Sequence, residues 1–207
     1  LFLGKSFFCT NGNFFFVVAS HVHRKRGYPM SLETLMWSLP IVFMLHDFEE
    51  IIMFQPWLQR ESARLRERFP RFAPRMLGQL ERLSTSSFAL AVAEEFVLLS
   101  AVTYWCVASQ RYTTWTAILL FFFLHLLMHI GQFAVYRRYI PTIVTSVAAS
   151  MYCVVALWFV VDSALLDWSA LLIETLIVIP LVVLNFVFAH WLAAQFEVWL
   201  RHYARVS

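Results

Sequence analysis

The chain has 207 residues, of which 60% are hydrophobic and only 14% charged, with a net charge of +3. A soluble domain of this size carries about 25% charged residues, so the composition excludes an ordinary water-soluble domain. With five glycines and seven prolines there is little chain left for linkers, and a single domain is expected.

Residues 1–29 differ from the rest of the chain. Their apolar patches are short, and the longer one, Phe14 to Ala19, falls well below the roughly 20 residues a span needs. The segment reads as an upstream extension or a disordered tail, with Met30 as the expected biological start. Residues 30–207 then form one membrane-embedded helical domain.

Five apolar runs succeed one another: Leu35–Phe54, Ser87–Ala108, Thr114–Tyr136, Thr142–Val161 and Ala170–Leu192. Each is long enough to cross about 30 Å of hydrocarbon. The fold class is therefore an all-α integral membrane bundle of about five transmembrane helices. Arginine placement orients it. The loop after the first run holds Arg60, Arg64, Arg66, Arg68, Arg71, Arg75 and Arg82, the third run ends at Arg137-Arg138, and the tail carries Arg201 and Arg205. The positive-inside rule puts these three segments in the cytoplasm, with the N-terminus outside and the C-terminus inside.

Segment 55–86 is an expected cytoplasmic amphipathic element. Leu65, Phe69, Phe72, Met76, Leu80 and Leu83 recur at steps of three and four, and Pro70 and Pro74 divide the segment into two short helices. Its arginines are placed to reach lipid phosphates.

Polar residues interrupt the spans. The first carries His46-Asp47-Phe48-Glu49-Glu50, the second Glu94-Glu95, the third His125, His129 and Gln132, and the fifth Asn185 and His190. An ionised group at mid-bilayer costs about 2.5–3.5 kcal/mol on insertion scales, so these acids must be paired, protonated, hydrated or bound to a cation. Residues 46, 49 and 50 share one helix face, as do 125, 129 and 132. Counted from the cytoplasmic ends, Glu49, Glu94, His129 and Asn185 fall in one layer roughly 10 Å deep. One site open to the cytoplasm is expected. Asp47 points off the His46 face and could pair with a neighbouring span. Asn185 reads as a helix–helix hydrogen bond, and Glu174, near the outer end of the fifth span, as snorkelling or hydrated. Cys106 and Cys153 read as buried small hydrophobes, and the cysteines, with no CxxC pair, give no metal signal.

The motif HDFEE, followed by HLLMHIGQFAVYRRYIP, resembles the HXXEE family of bacterial membrane proteins over roughly Leu35 to Thr145. The resemblance implies a small multi-helix protein of the bacterial inner membrane with functional His and Glu, and it supplies no reaction. A fainter similarity is to the CAAX-processing glutamate proteases, through Phe121 and His125. Leu99 and Phe54 stand where those enzymes place an arginine after each Glu pair.

His46, Glu49, Glu50, Glu94, Glu95, His125 and His129 are the candidate metal ligands, with Glu49, Glu50 and His125 as candidate catalytic groups. Mixed imidazole and carboxylate donors suit a divalent Zn, Fe or Mn ion, and helix bundles build such sites from inward Glu and His. The expected function is a metal-dependent, hydrolase-like enzyme acting on a lipid or membrane-associated substrate. The expected partners are membrane lipids and not nucleic acid. The alternatives are a metal-free glutamate hydrolase, a proton or cation carrier, and a structural bundle whose polar residues join the helices.

Overall fold

The computed structural model describes residues 31–71 and 73–206, so the expectations for residues 1–29 and for Met30 lie outside the described residues. Six helices account for nearly all of the described chain: α1 (Leu32–Arg68), α2 (Ala73–Leu80), α3 (Thr85–Ala108), α4 (Tyr112–Tyr136), α5 (Ile143–Asp162) and α6 (Trp168–Val206). Four of them, α3, α4, α5 and α6, are long and apolar enough to cross a membrane. The first expected span, Leu35–Phe54, lies inside α1. That helix carries four ionisable side chains in His46–Glu50 and then runs on into an arginine-rich stretch, so its hydropathy falls below that of the other four.

Segment 55–86 differs from its expectation. The helix that begins at Leu32 continues without a break through Pro56 to Arg68, and only α2 forms a separate short helix. Pro56 removes one backbone hydrogen bond and crowds the preceding turn, a cost that tertiary contacts can offset. Here Leu58 and Leu65 are buried against Ala73, Leu77 and Tyr136, and that packing holds the extended part of α1 in place. Pro70 does end the helix, directly after the cap residue Phe69, whose N–H donates to the Leu65 carbonyl. Ser31 and Ser84 cap α1 and α3, each accepting from the amide three residues on.

The long helices pack as a closed ring. α1 lies between α3 and α5, α6 lies between α3 and α4, and α4 and α5 are neighbours. The ring order α1–α3–α6–α4–α5 leaves α1 and α4 facing each other across the interior. One end of that interior is a packed apolar core of Met36, Leu39, Cys106, Trp115, Leu119, Phe122, Leu126, Cys153 and Val160. The other end is closed by the cluster of α2 with Leu58, Leu65, Tyr136, Ile140 and Ile143. Outward faces stay apolar: Ile41, Leu124, Met151, Leu172, Leu184 and Trp191 are all more than half exposed. Such a surface suits lipid and not water.

Candidate functional site

The layer between the two apolar clusters holds the polar residues. His46 projects from α1, and His125 and His129 from one face of α4, one turn apart. One nitrogen from each lies within 4.8 Å of the others. The His125 and His129 Nε2 atoms are 3.0 Å apart, and the His46 ring centroid stands 5.6 Å and 5.4 Å from theirs. Ligands bound at about 2.0–2.1 Å to one ion are themselves separated by roughly 3–4 Å, so the three imidazoles could hold a metal ion.

The surroundings fix how His46 is presented. Its Nδ1 lies 3.2 Å from the Thr145 hydroxyl. That hydroxyl is 2.6 Å from the Glu49 carboxylate, to which it donates; the Thr142 carbonyl at 3.2 Å is a poorer acceptor. With its proton so committed, Thr145 Oγ1 accepts from His46 Nδ1–H. The other nitrogen, His46 Nε2, then carries a lone pair. It is buried and has no hydrogen-bond partner. A ligating histidine is commonly held in this way, with its far nitrogen donating to a second group that sets the tautomer. On α4, His129 Nδ1 lies 3.2 Å from Gln132 Oε1, which directs the proton to Nδ1 and leaves Nε2 to accept from His125 Nε2 at 3.0 Å.

Glu49 has a different place from the one its motif suggests. It accepts from the Thr145 N–H at 2.8 Å, the Thr145 hydroxyl and the Tyr139 hydroxyl at 2.9 Å. Three donors hold the carboxylate beside the histidines as an anchor for Thr145. The turn that supplies those donors is tight. Arg137 caps α4 at φ 57° and Thr142 precedes α5 at φ 81°. Both lie in the left-handed region that non-glycine residues seldom enter, and together they bring Tyr139 and Thr145 back over α1.

The remaining acids gather on the other side of α1. Asp47 is buried, and its neighbours in electrostatic reach are Glu50 on its own helix and Glu95 on α3. Its Oδ2 has no hydrogen-bond partner. Glu94 accepts from the Asn185 amide of α6 at 3.3 Å, the helix–helix bond the sequence suggests for Asn185. The structure therefore brings His46, His125 and His129 together and sets Glu49 behind them. Glu50, Glu94 and Glu95 do not join the group of convergent ligand atoms. Phe186 links the two sides, stacking 6.3 Å from His125 beside Asn185. Near the start of α6, Glu174 is half-buried with an unpartnered Oε2, where the sequence suggests a snorkelling or hydrated side chain.

Sequence reasoning did not single out Thr145 and Tyr139. Their signal lies in the turn: Tyr139 and Pro141 belong to the YRRYIP stretch, and Thr145 sits one turn after a positive-φ helix cap. It also passed over Glu61, which accepts from the Tyr136 hydroxyl at 2.6 Å.

No curated protein and no solved structure matches the chain. The family described as "Protein of unknown function with HXXEE motif" matches residues 37–159, a stretch that contains the three histidines, Glu49, Tyr139 and Thr145. With more than half of its length matched, the chain belongs to the HXXEE family.

Proposed function

We propose that this HXXEE protein is a membrane-embedded, metal-dependent enzyme of hydrolytic type whose substrate is a lipid or a membrane-associated molecule. The observation that carries this reading is the convergence of three imidazoles, one of them held in a set tautomer with its free nitrogen buried and unpartnered. Leaving such a nitrogen empty costs about 1–3 kcal/mol, a cost an ion would remove. Three protein ligands plus an open position is the arrangement of catalytic zinc sites, and Fe or Mn also fit imidazole donors. A bound divalent ion would supply a Lewis acid that acidifies a water and polarises an ester or phosphoester oxygen.

The chain's own groups would divide the work. His46, His125 and His129 bind. Thr145 and Glu49 hold the His46 ring, and Glu49 also lies within electrostatic reach of His129. The apolar outer faces of the helices around this layer support a lipid or membrane-associated substrate. In this reading α1 is a fifth span and the arginine-rich segment 55–86 faces the cytoplasm. Cysteine labelling at residue 62 from outside intact cells should fail, and efficient labelling there would invert the arrangement.

The experiment is turnover in proteoliposomes made from mixed phospholipids, with Zn, Mn or Fe added singly. New lysolipid, fatty acid or headgroup product that disappears with chelator and with His125→Ala supports the proposal. Unchanged lipid composition with every metal overturns the enzyme reading for lipid substrates. A helix-joining role has its own support in the Glu94–Asn185 bond.

A further inference from the structure

We infer that the arginine cluster around Glu61 is a binding site for the phosphate headgroup of an anionic phospholipid, separate from the histidine layer. The Glu61 carboxylate is buried and has three guanidinium groups in ion-pair range: Arg60 at 3.5 Å, Arg64 at 3.3 Å and Arg138 at 3.5 Å. One carboxylate against three guanidiniums leaves a local excess of two positive charges. Each arginine offers Glu61 a single nitrogen, Nε of Arg60, Nη1 of Arg64 and Nε of Arg138, so most of its five N–H donors remain available. The side chains are 77%, 48% and 43% exposed.

Glu61 thus gathers the arginines without neutralising them. Its own position is fixed by the Tyr136 hydroxyl. Arg68 braces Tyr136 from the other side, donating to the Tyr136 and Val135 carbonyls at 2.8 and 2.9 Å. A planar guanidinium fork matches phosphate oxygens better than an ammonium does.

Location selects a lipid as the source of that phosphate. The cluster lies where the apolar part of α1 gives way to charge and where the apolar helix α4 ends. Trp57 and Tyr139 flank the same level, joined by a 2.8 Å bond from the Trp57 indole N–H to the Tyr139 carbonyl, and such aromatics favour the membrane interface. Charge selects the headgroup. An excess of two positive charges complements a phosphodiester with a net negative charge and not one balanced by choline. Glu61 is 15 residues beyond His46, about 22 Å along α1. That distance is too great for a headgroup held here to place its ester bonds at the histidines, so the lipid is a bound partner and not the substrate.

The test is native mass spectrometry of the detergent-purified full chain, given equal amounts of phosphatidylglycerol and phosphatidylcholine with identical acyl chains. Preferential retention of phosphatidylglycerol is expected. Near an anionic surface each arginine contributes about a fivefold effect, so Arg60→Gln should lower the preference roughly fivefold and the Arg60→Gln/Arg64→Gln/Arg138→Gln protein should abolish it. Arg60 is the most exposed of the three, so its single variant keeps the test valid if the triple variant does not fold. Metal content should be unchanged in each folded variant. Equal retention of the two lipids by the wild type would overturn the inference, as would a preference that survives Arg60→Gln undiminished. Displacement of the lipid by millimolar inorganic phosphate would show a soluble-anion site instead and would also overturn it.

Discussion

His46 and Asp47 are adjacent in sequence and both buried, yet they enter different environments. His46 meets two more imidazoles on α4 and a hydroxyl that holds its far nitrogen. Asp47 meets Glu50 and Glu95, groups of its own sign, and one of its oxygens has no partner. About 100° of helical rotation separates a face of neutral donors from a face of acids. Neutral imidazoles can crowd together without charge repulsion, as the 3.0 Å contact of His125 and His129 shows. Crowded carboxylates must be protonated, paired, hydrated or bound to a cation. The proposed cation site accordingly takes the histidine side, where the ligand atoms converge, and the acids stand outside that group, though the motif displays them more prominently.

The largest expected effect comes from removing a ligand. His46→Ala or His125→Ala should lower metal affinity by more than the roughly 100-fold that marks the upper end for an orienting residue. Equilibrium dialysis with Zn would measure it. Equal affinity in wild type and variants would erase the distinction between the two faces.

An intermediate effect is expected from the residue that orients His46. Thr145→Val keeps the shape and removes the hydroxyl that joins His46 to Glu49, and it should weaken metal binding by about 10–100-fold. Thr145→Ser should retain most of the affinity. If Val and Ser behave alike, the hydroxyl does not set the His46 tautomer.

The sequence revealed the helices, the polar layer and all three histidines, because hydropathy and helical spacing report directly on burial and on shared faces. Phe121–His129 lies on one strongly apolar helix, so the i, i+4 spacing of His125 and His129 could be read without a structure. The ring order could not. Nothing in the spacing says that α1 and α4 face each other across the bundle while α3 receives the acids. The role of Thr145 was hidden for the same reason, since its partners are 96 and 99 residues away. The run of α1 past Phe54 to Arg68 was hidden because the apolar run ends there, whereas burial of Leu58 and Leu65 carries the helix on.

The acid face should respond in the opposite sense. Asp47→Asn and Glu50→Gln replace crowded carboxyls with amides that need neither a proton nor a partner charge, so metal content should hold and thermal stability in detergent should be unchanged or slightly raised. A loss of metal in either variant would make the acids ligands and merge the two faces into one site.

The smallest effect is expected at Glu61, in the arginine-rich part of α1. The Tyr136 hydroxyl, aided by Arg138, Arg64 and Arg60 and opposed by burial, holds its carboxyl below the usual glutamate value. A lowered folded-state value means stability that is present above the unfolded value of about 4.3 and lost as the pH falls through the folded one. Glu61→Gln should therefore be less stable than wild type at neutral pH, and the gap should close below about pH 4. Thermal unfolding in detergent across that range would show it, and a gap independent of pH would mean that the charge of Glu61 contributes nothing.

Ion binding by the three imidazoles can be read directly. Elemental analysis of detergent-purified wild type beside His125→Ala, each after exposure to Zn, Fe or Mn and removal of excess metal, addresses that alone. The prediction is about one divalent ion per wild-type chain, little in the variant, and a chelator-induced drop in wild-type thermal stability that the variant does not share. A wild type that takes up none of the three metals, and whose unfolding is indifferent to chelator, would contradict ion binding by these histidines.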